Sequence, residues 1–226
     1  MTGNKEIPLS IIQTDKDKFL TENNIGDIYL EYGGYLIEKY NLNITKEELL
    51  KLRWMISHGF ILNEVKYKEG VVEVIKYLKK LNYILILATA GTREQVDIYS
   101  YQNIKTSSEL NLYNYFDLIL TKEDVEKKKP DSEIFLKILT KLNANSSECI
   151  VIEDSLNGIK SAKGAHITTI NIYEPHCNNE REEIDKITDF KINDYQELLN
   201  YLKENYPITN NQKIRIKEKY WWNHAY

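Results

Sequence analysis

The chain has 226 residues, with Lys+Arg 30 against Asp+Glu 34 and a formal net charge of -4, a balance that excludes a strongly basic nucleic-acid binder. Hydrophobic residues make up 42% and charged residues 28%, which excludes a disordered chain and fits one domain carrying an insertion. No apolar stretch is long enough to span a bilayer and the N-terminus lacks a leader pattern, so the expected location is cytoplasmic, with no membrane contact.

Short apolar runs alternate with amphipathic helical stretches, the pattern of βαβ units. It predicts an α/β fold, a doubly wound, Rossmann-like parallel sheet. The first strand is expected at Leu9 to Thr14. Thr21 to Lys66 then reads as helices without a strand: Thr45 and Glu48 form a capping box before a helix carrying Leu49, Leu52, Met55 and Ile56, and Gly33-Gly34 weakens the helix around it. This segment is expected to be a small α-helical cap inserted after the first strand. In the helix Val71 to Leu81, residues Val71, Val74, Ile75, Leu78 and Leu81 form one apolar stripe.

Strands at Tyr83 to Ala88, Leu118 to Thr121, Cys149 to Ile152 and Thr168 to Tyr173 alternate with helices at Arg93 to Tyr99, Ser132 to Leu142, Gly158 to Ala165 and Tyr195 to Asn205. None of the strands alternates strictly, as expected of strands covered on both faces. The domain reading is a core of 1–20 and 67–206, a cap of 21–66, and a tail of 207–226 outside the α/β pattern. Cys149 and Cys177 have no metal-ligand spacing and read as reduced structural thiols.

In an open parallel sheet, ligands bind at the carboxyl ends of the strands. Asp15 and Asp17 follow the first strand, Thr89 follows the second, Lys129-Pro130 lies beyond the third, and Glu153-Asp154 ends the fourth. Four crowded carboxylates need a cation, and an all-oxygen set suits Mg²⁺ rather than zinc. A carboxylate can attack a phosphoryl group while a second, two residues on, protonates the leaving oxygen; Asp15 and Asp17 have that spacing. Thr89, at the start of the next helix, and Lys129, held extended by Pro130, supply donors to the phosphoryl oxygens.

Each of these residues also has a plainer reading. An isolated Asp-x-Asp is common in polar turns, Thr89 and Asp154-Ser155 suit helix caps, and Lys127 and Lys128 read as a solvated surface. Trp54 and Phe60 read as packing residues. The position of Asp15 and Asp17 directly after a strand favours chemistry.

The same residues resemble the haloacid dehalogenase-like phosphohydrolases, in particular the group that includes β-phosphoglucomutase and phosphoglycolate phosphatase. The family's D-x-D-G-[TV]-L is similar to D-K-D-K-F-L from Asp15 to Leu20, and its apolar run ending in Ser or Thr is similar to I-L-A-T from Ile86 to Thr89. Its K-P-x-P-D-I-F is similar to K-P-D-S-E-I-F from Lys129 to Phe135. Its E-D-S-x-x-G-I-x-A-A-x-x-A-G is similar to E-D-S-L-N-G-I-K-S-A-K-G-A-H from Glu153 to His166, the most specific of the four.

The resemblance implies Asp15 as nucleophile, Asp17 as general acid/base, and Thr89, Ala90 and Lys129 as phosphate contacts. It implies Mg²⁺ at Asp15, the backbone carbonyl of Asp17 and Asp154, with Glu153 assisting. The implied activity is hydrolysis of a small phosphomonoester, a sugar phosphate or nucleotide monophosphate, through an aspartyl-phosphate; separately, a monomer is expected rather than an oligomer. Lys18 and Phe19 depart from the motif, which keeps a catalytically weak binding or scaffold protein as an alternative. Asn23 and Asp27 stand where mutases carry Thr and His, which weighs against the other alternative, a sugar-phosphate mutase.

Overall fold

The computed structural model describes residues 28–208 and 219–222. The expected first strand, Leu9 to Thr14, and the residues Asp15 and Asp17 lie outside that range. The chain divides into two compact units with the boundary between Phe60 and Ile61.

The first unit contains helix α1, Ile28–Tyr40, which runs through Gly33-Gly34, and most of α2, Lys46–Asn63. The capping box forms as expected: the Glu48 amide donates to Thr45 Oγ1 at 3.1 Å and the Thr45 amide donates to Glu48 Oε2 at 2.8 Å. The expected packing of Trp54 and Phe60 does not occur, since they are 55% and 61% exposed. Trp54 instead stands beside the His58 ring, with centroids 4.8 Å apart.

The second unit is a parallel sheet wound on both sides. Helix α3 is Val71–Lys80 and strand β1 is Ile84–Ala88. After β1 come α4, Arg93–Asp97, continued by the wider turn Ile98–Gln102, then α5, Ile104–Ser107, α6, Leu112–Tyr115, and β2, Leu118–Leu120. The chain goes on through α7, Glu133–Leu142, β3, Cys149–Glu153, α8, Leu156–Gly164, and β4, Thr168–Ile172. It closes with α9, Arg181–Ile187, β5, Phe190–Ile192, α10, Tyr195–Asn205, and β6, Lys219–Trp222.

Successive side chains of a strand point to opposite faces, so each apolar strand feeds two cores. Leu85 and Leu87 of β1 and Ile152 of β3 pack with Val71, Val74, Ile75 and Leu78 of α3 and with Leu198, Leu199 and Leu202 of α10. Ile86 and Ala88 of β1, with Cys149 and Val151 of β3, pack on the other face with Ile134, Phe135 and Ile138 of α7 and Ala162 of α8. Cys149 and Cys177 are free thiols.

The strand order is β2-β1-β6-β3-β4-β5 and every pairing is parallel. The tail therefore departs from the expectation that it stands outside the pattern. Lys219–Trp222 forms a strand between β1 and β3, with Trp222 level with Leu87 and Ile152. The run K-Y-W-W has the aromatic character that strands favour. Among the described residues, no helix is long and apolar enough to cross a membrane.

Candidate functional site

The carboxyl ends of β1 and β3 carry the residues that the sequence singles out. Thr89 follows β1 directly and is buried; its amide donates to the Leu120 carbonyl at 2.9 Å, and its Oγ1 accepts the Gly91 amide at 2.9 Å. A hydroxyl that accepts here keeps its own hydrogen for donation elsewhere. Ala90 is exposed beside it.

The expectation that Thr89 begins the next helix is corrected. The N-cap of α4 is Thr92, whose Oγ1 accepts the Gln95 amide at 3.0 Å while its own amide donates to Gln95 Oε1 at 2.8 Å. The Arg93 amide donates to Glu123 Oε2 at 3.2 Å. These first amides are satisfied internally, so the helix start offers little to an anion.

Lys129 is drawn inward from a loop whose neighbours Lys127 and Lys128 are exposed. The Lys129-Pro130 peptide is cis. Lys129 Nζ donates to the Ala88 carbonyl at 3.1 Å, lies 3.5 Å from Glu153 Oε2, and stands 5.1 Å from the centroid of the Phe135 ring. This one ammonium links the end of β1 to the end of β3. Burial pulls its pKa below the ordinary lysine value, against the opposing pull of Glu153 and Asp154. The loop is tied to α8 by the Ser161 hydroxyl, which donates to the Asp131 carbonyl at 2.6 Å.

Glu153 and Asp154 are 1% and 2% exposed. Glu153 Oε1 accepts the Ser155 hydroxyl and, at 3.3 Å, the Ser155 amide. Ser155 is also the N-cap of α8, accepting the Gly158 amide at 3.1 Å, so the plainer capping role falls to Ser155 rather than Asp154. The backbone under Glu153 is held by Asn171, whose amide donates to its carbonyl at 3.0 Å and which in turn accepts from Arg181 at 2.6 Å.

Gly158 explains why the motif carries a glycine three residues after Ser155. A Cβ there would fall 1.9 Å from Glu153 Cδ, an impossible approach. Gly158→Ala is expected to displace the Glu153 carboxylate and cost about 1–3 kcal/mol, the range for overpacking a filled site. Urea unfolding of the two proteins checks this, and an unchanged midpoint would contradict it.

Among the described residues, Glu153 Oε2 and Asp154 Oδ1 are buried without a hydrogen-bond partner. Burial and the neighbouring Glu153 charge raise the Asp154 pKa to about 6, against the pull of Lys68. Glu153 Oε2 has the Lys129 ammonium 3.5 Å away, so the bare Asp154 Oδ1 is the oxygen that fits a further cation. Among the described residues no three Asp, Glu, His or Cys side chains gather as a ligand set. Asp15 and Asp17, the other two expected metal ligands, lie outside the described residues.

Two charged residues at this edge go beyond those the sequence reading singles out, although Glu174 directly follows the expected strand Thr168 to Tyr173 and its position is the signal that could have found it. Lys68 Nζ lies 2.6 Å from Asp154 Oδ2 and 2.6 Å from Glu174 Oε2, Glu174 coming two residues after β4. Burial lowers the Lys68 pKa, but the two carboxylates outweigh it and the net shift is upward. The buried hydroxyl of Tyr195 is pushed up by burial and then by the charges of Asp154, Glu153 and Glu174. No periodicity marks these three, because only the tertiary fold brings them to the acids.

Residues 15–172 match the family described as haloacid dehalogenase-like hydrolase. The chain is 30% identical over 140 residues to a phosphorylated carbohydrates phosphatase of Thermotoga maritima, covering 62% of this chain and 61% of that one. It is 31% identical over 108 residues to the validoxylamine A 7'-phosphate phosphatase of Streptomyces hygroscopicus subsp. limoneus, covering 48% of this chain and 47% of that one. The match thus spans about three fifths of the first relative's length and about half of the second's. Among solved structures, a candidate beta-phosphoglucomutase from Thermotoga maritima shares the fold with a TM-score of 0.68 at 24% identity, over 89% of this chain and 85% of that one.

Proposed function

Because the chain belongs to the haloacid dehalogenase-like hydrolase family, we propose that it is a phosphatase of small phosphorylated metabolites, with sugar phosphates foremost. The observation that carries this reading is Lys129, whose buried ammonium joins the carbonyl beside Thr89 to the Glu153 carboxylate. A fixed cation and a hydroxyl donor next to buried acids form an electrostatic cradle for a phosphoryl group, which carries its charge on its outer oxygens. The kinship with named phosphatases supports phosphoester hydrolysis over carbon–halogen cleavage.

In this reading Asp15 attacks phosphorus and forms an aspartyl-phosphate, and Asp17 protonates the leaving oxygen and then takes a proton from the attacking water. Thr89 and Lys129 hold the phosphoryl oxygens, with Ala90 beside them. Asp154, with Glu153 assisting, Asp15 and the backbone carbonyl of Asp17 would hold a divalent metal, Mg²⁺ in this proposal. When bound, that ion neutralises charge on the phosphoryl oxygens. The proposed setting is a cytoplasmic monomer.

Phosphate release from a panel of hexose and pentose phosphates, nucleoside monophosphates and a phosphodiester tests the substrate class. Release from the monoesters, led by sugar phosphates, is expected. Activity confined to the diester would contradict the reading.

A further inference from the structure

Lys68 is required neither by the strand-end pattern nor by the phosphatase chemistry. Its ammonium nevertheless sits between Asp154 and Glu174, 2.6 Å from each. The segment that carries it is held along its length. The buried side chain of Asn103 donates to the carbonyls of Ile61 and Val65 at 2.6 and 2.9 Å, and the Tyr67 hydroxyl donates to the Leu110 carbonyl at 3.0 Å. Gly70, at φ 81°, packs against the backbone of Tyr195 and Gln196, where any side chain would be both strained and crowded. The Lys68 side chain is 40% exposed, but its backbone is fixed and its ammonium meets two carboxylates at once, which holds the charge in one place.

Asp154 meets this ammonium with Oδ2 alone. Among the described residues its Oδ1 stays buried without a hydrogen-bond partner, whereas Glu153 Oε2 faces the Lys129 ammonium at 3.5 Å. Lys68 therefore satisfies only one oxygen of Asp154, and the bare Oδ1 points to a second cation at the same carboxylate. Two cations on one buried carboxylate repel each other. Glu174 is half of the solution, because it already accepts Lys68 and can keep it when Asp154 turns to a metal.

We propose that Lys68 is a tethered cation that competes with the divalent metal for Asp154, and that Glu174 is the seat to which it withdraws when metal binds. The inference rests on the reading of Asp154 as a metal ligand. Lys68 then stabilises the metal-free site and sets the metal concentration at which the site fills.

The test is calorimetric titration of Mn²⁺ into the full-length wild type and its Lys68→Met, Lys68→Arg and Glu174→Gln variants, without substrate. Lys68→Met is expected to bind about tenfold more tightly than wild type, as removing a competing charge beside a buried acid requires. Lys68→Arg keeps the charge and stays near wild type, and Glu174→Gln binds more weakly because Lys68 loses its second seat. A residue that merely braced the fold would weaken binding when removed. Equal or weaker binding by Lys68→Met overturns the proposal, as does unchanged binding by Glu174→Gln should Lys68→Met fail to fold. Absence of Mn²⁺ binding in all four also overturns it. Phosphate release by the same preparations judges the phosphatase reading separately.

Discussion

Lys129→Met is expected to lower phosphate release by about two to three orders of magnitude, the loss found when one fixed donor to a developing charge is removed. Methionine fills nearly the same space, so packing against Phe135 survives while the charge is lost. Three contacts make this residue costly to replace: the Ala88 carbonyl beside Thr89, the Glu153 carboxylate, and the Phe135 ring. Without the ammonium, two adjacent buried acids face each other with no internal counter-ion on the Glu153 side. Steady-state kinetics check this, and a variant within threefold of wild type would remove Lys129 from the chemistry.

Asp154→Asn is expected to do two opposite things. It removes metal binding and phosphate release, and in the absence of metal it makes the fold more stable at pH 7. The sign follows from the pKa. Asp154 is raised from 3.8 to about 6, chiefly by burial and the Glu153 charge, so its ionised form is worse placed in the folded protein than in the unfolded chain. Its effect is absent below the unfolded value, grows as pH rises from 3.8 to about 6, and is complete above that. A displacement of about two pH units corresponds to on the order of 3 kcal/mol at neutral pH. Urea unfolding in EDTA at pH 4 and pH 7 measures it: the Asn variant should gain over wild type at pH 7 and not at pH 4. Equal stability at both values would contradict the account of a carboxylate kept strained for a ligand.

Much of the second unit is legible in the sequence because strands covered on both faces are short continuous apolar runs. I-L-I-L-A and C-I-V-I-E announce β1 and β3, and the stripe Val71, Val74, Ile75, Leu78 announces α3. The Thr45-Glu48 box is equally local, since both partners lie within one turn. What escapes the sequence depends on distant contacts. F-K-I of β5 is three residues long and largely exposed, and α9 is mostly charged, so neither shows an apolar period. K-Y-W-W becomes a strand only because β1 and β3 leave a place between them.

The candidate site divides the same way. Thr89, Lys129, Glu153 and Asp154 are found by their positions after strands, and the structure brings Lys129 to the ends of both β1 and β3. Lys68 and Glu174 are single charges in loops, 106 positions apart, and nothing but the fold pairs them. Gly158 is visible as a motif residue, but its reason, the Glu153 carboxyl group pressed against its Cα, is a matter of tertiary packing.

Phosphate ester hydrolysis initiated by Asp15 is the step on which every other proposed role depends. Its most direct measurement is phosphate release from sugar phosphates by wild type and Asp15→Asn, each with and without Mg²⁺. Release by the wild type should require Mg²⁺ and vanish in the variant. No release from any phosphomonoester by folded wild type with Mg²⁺, or equal release by Asp15→Asn, would contradict it.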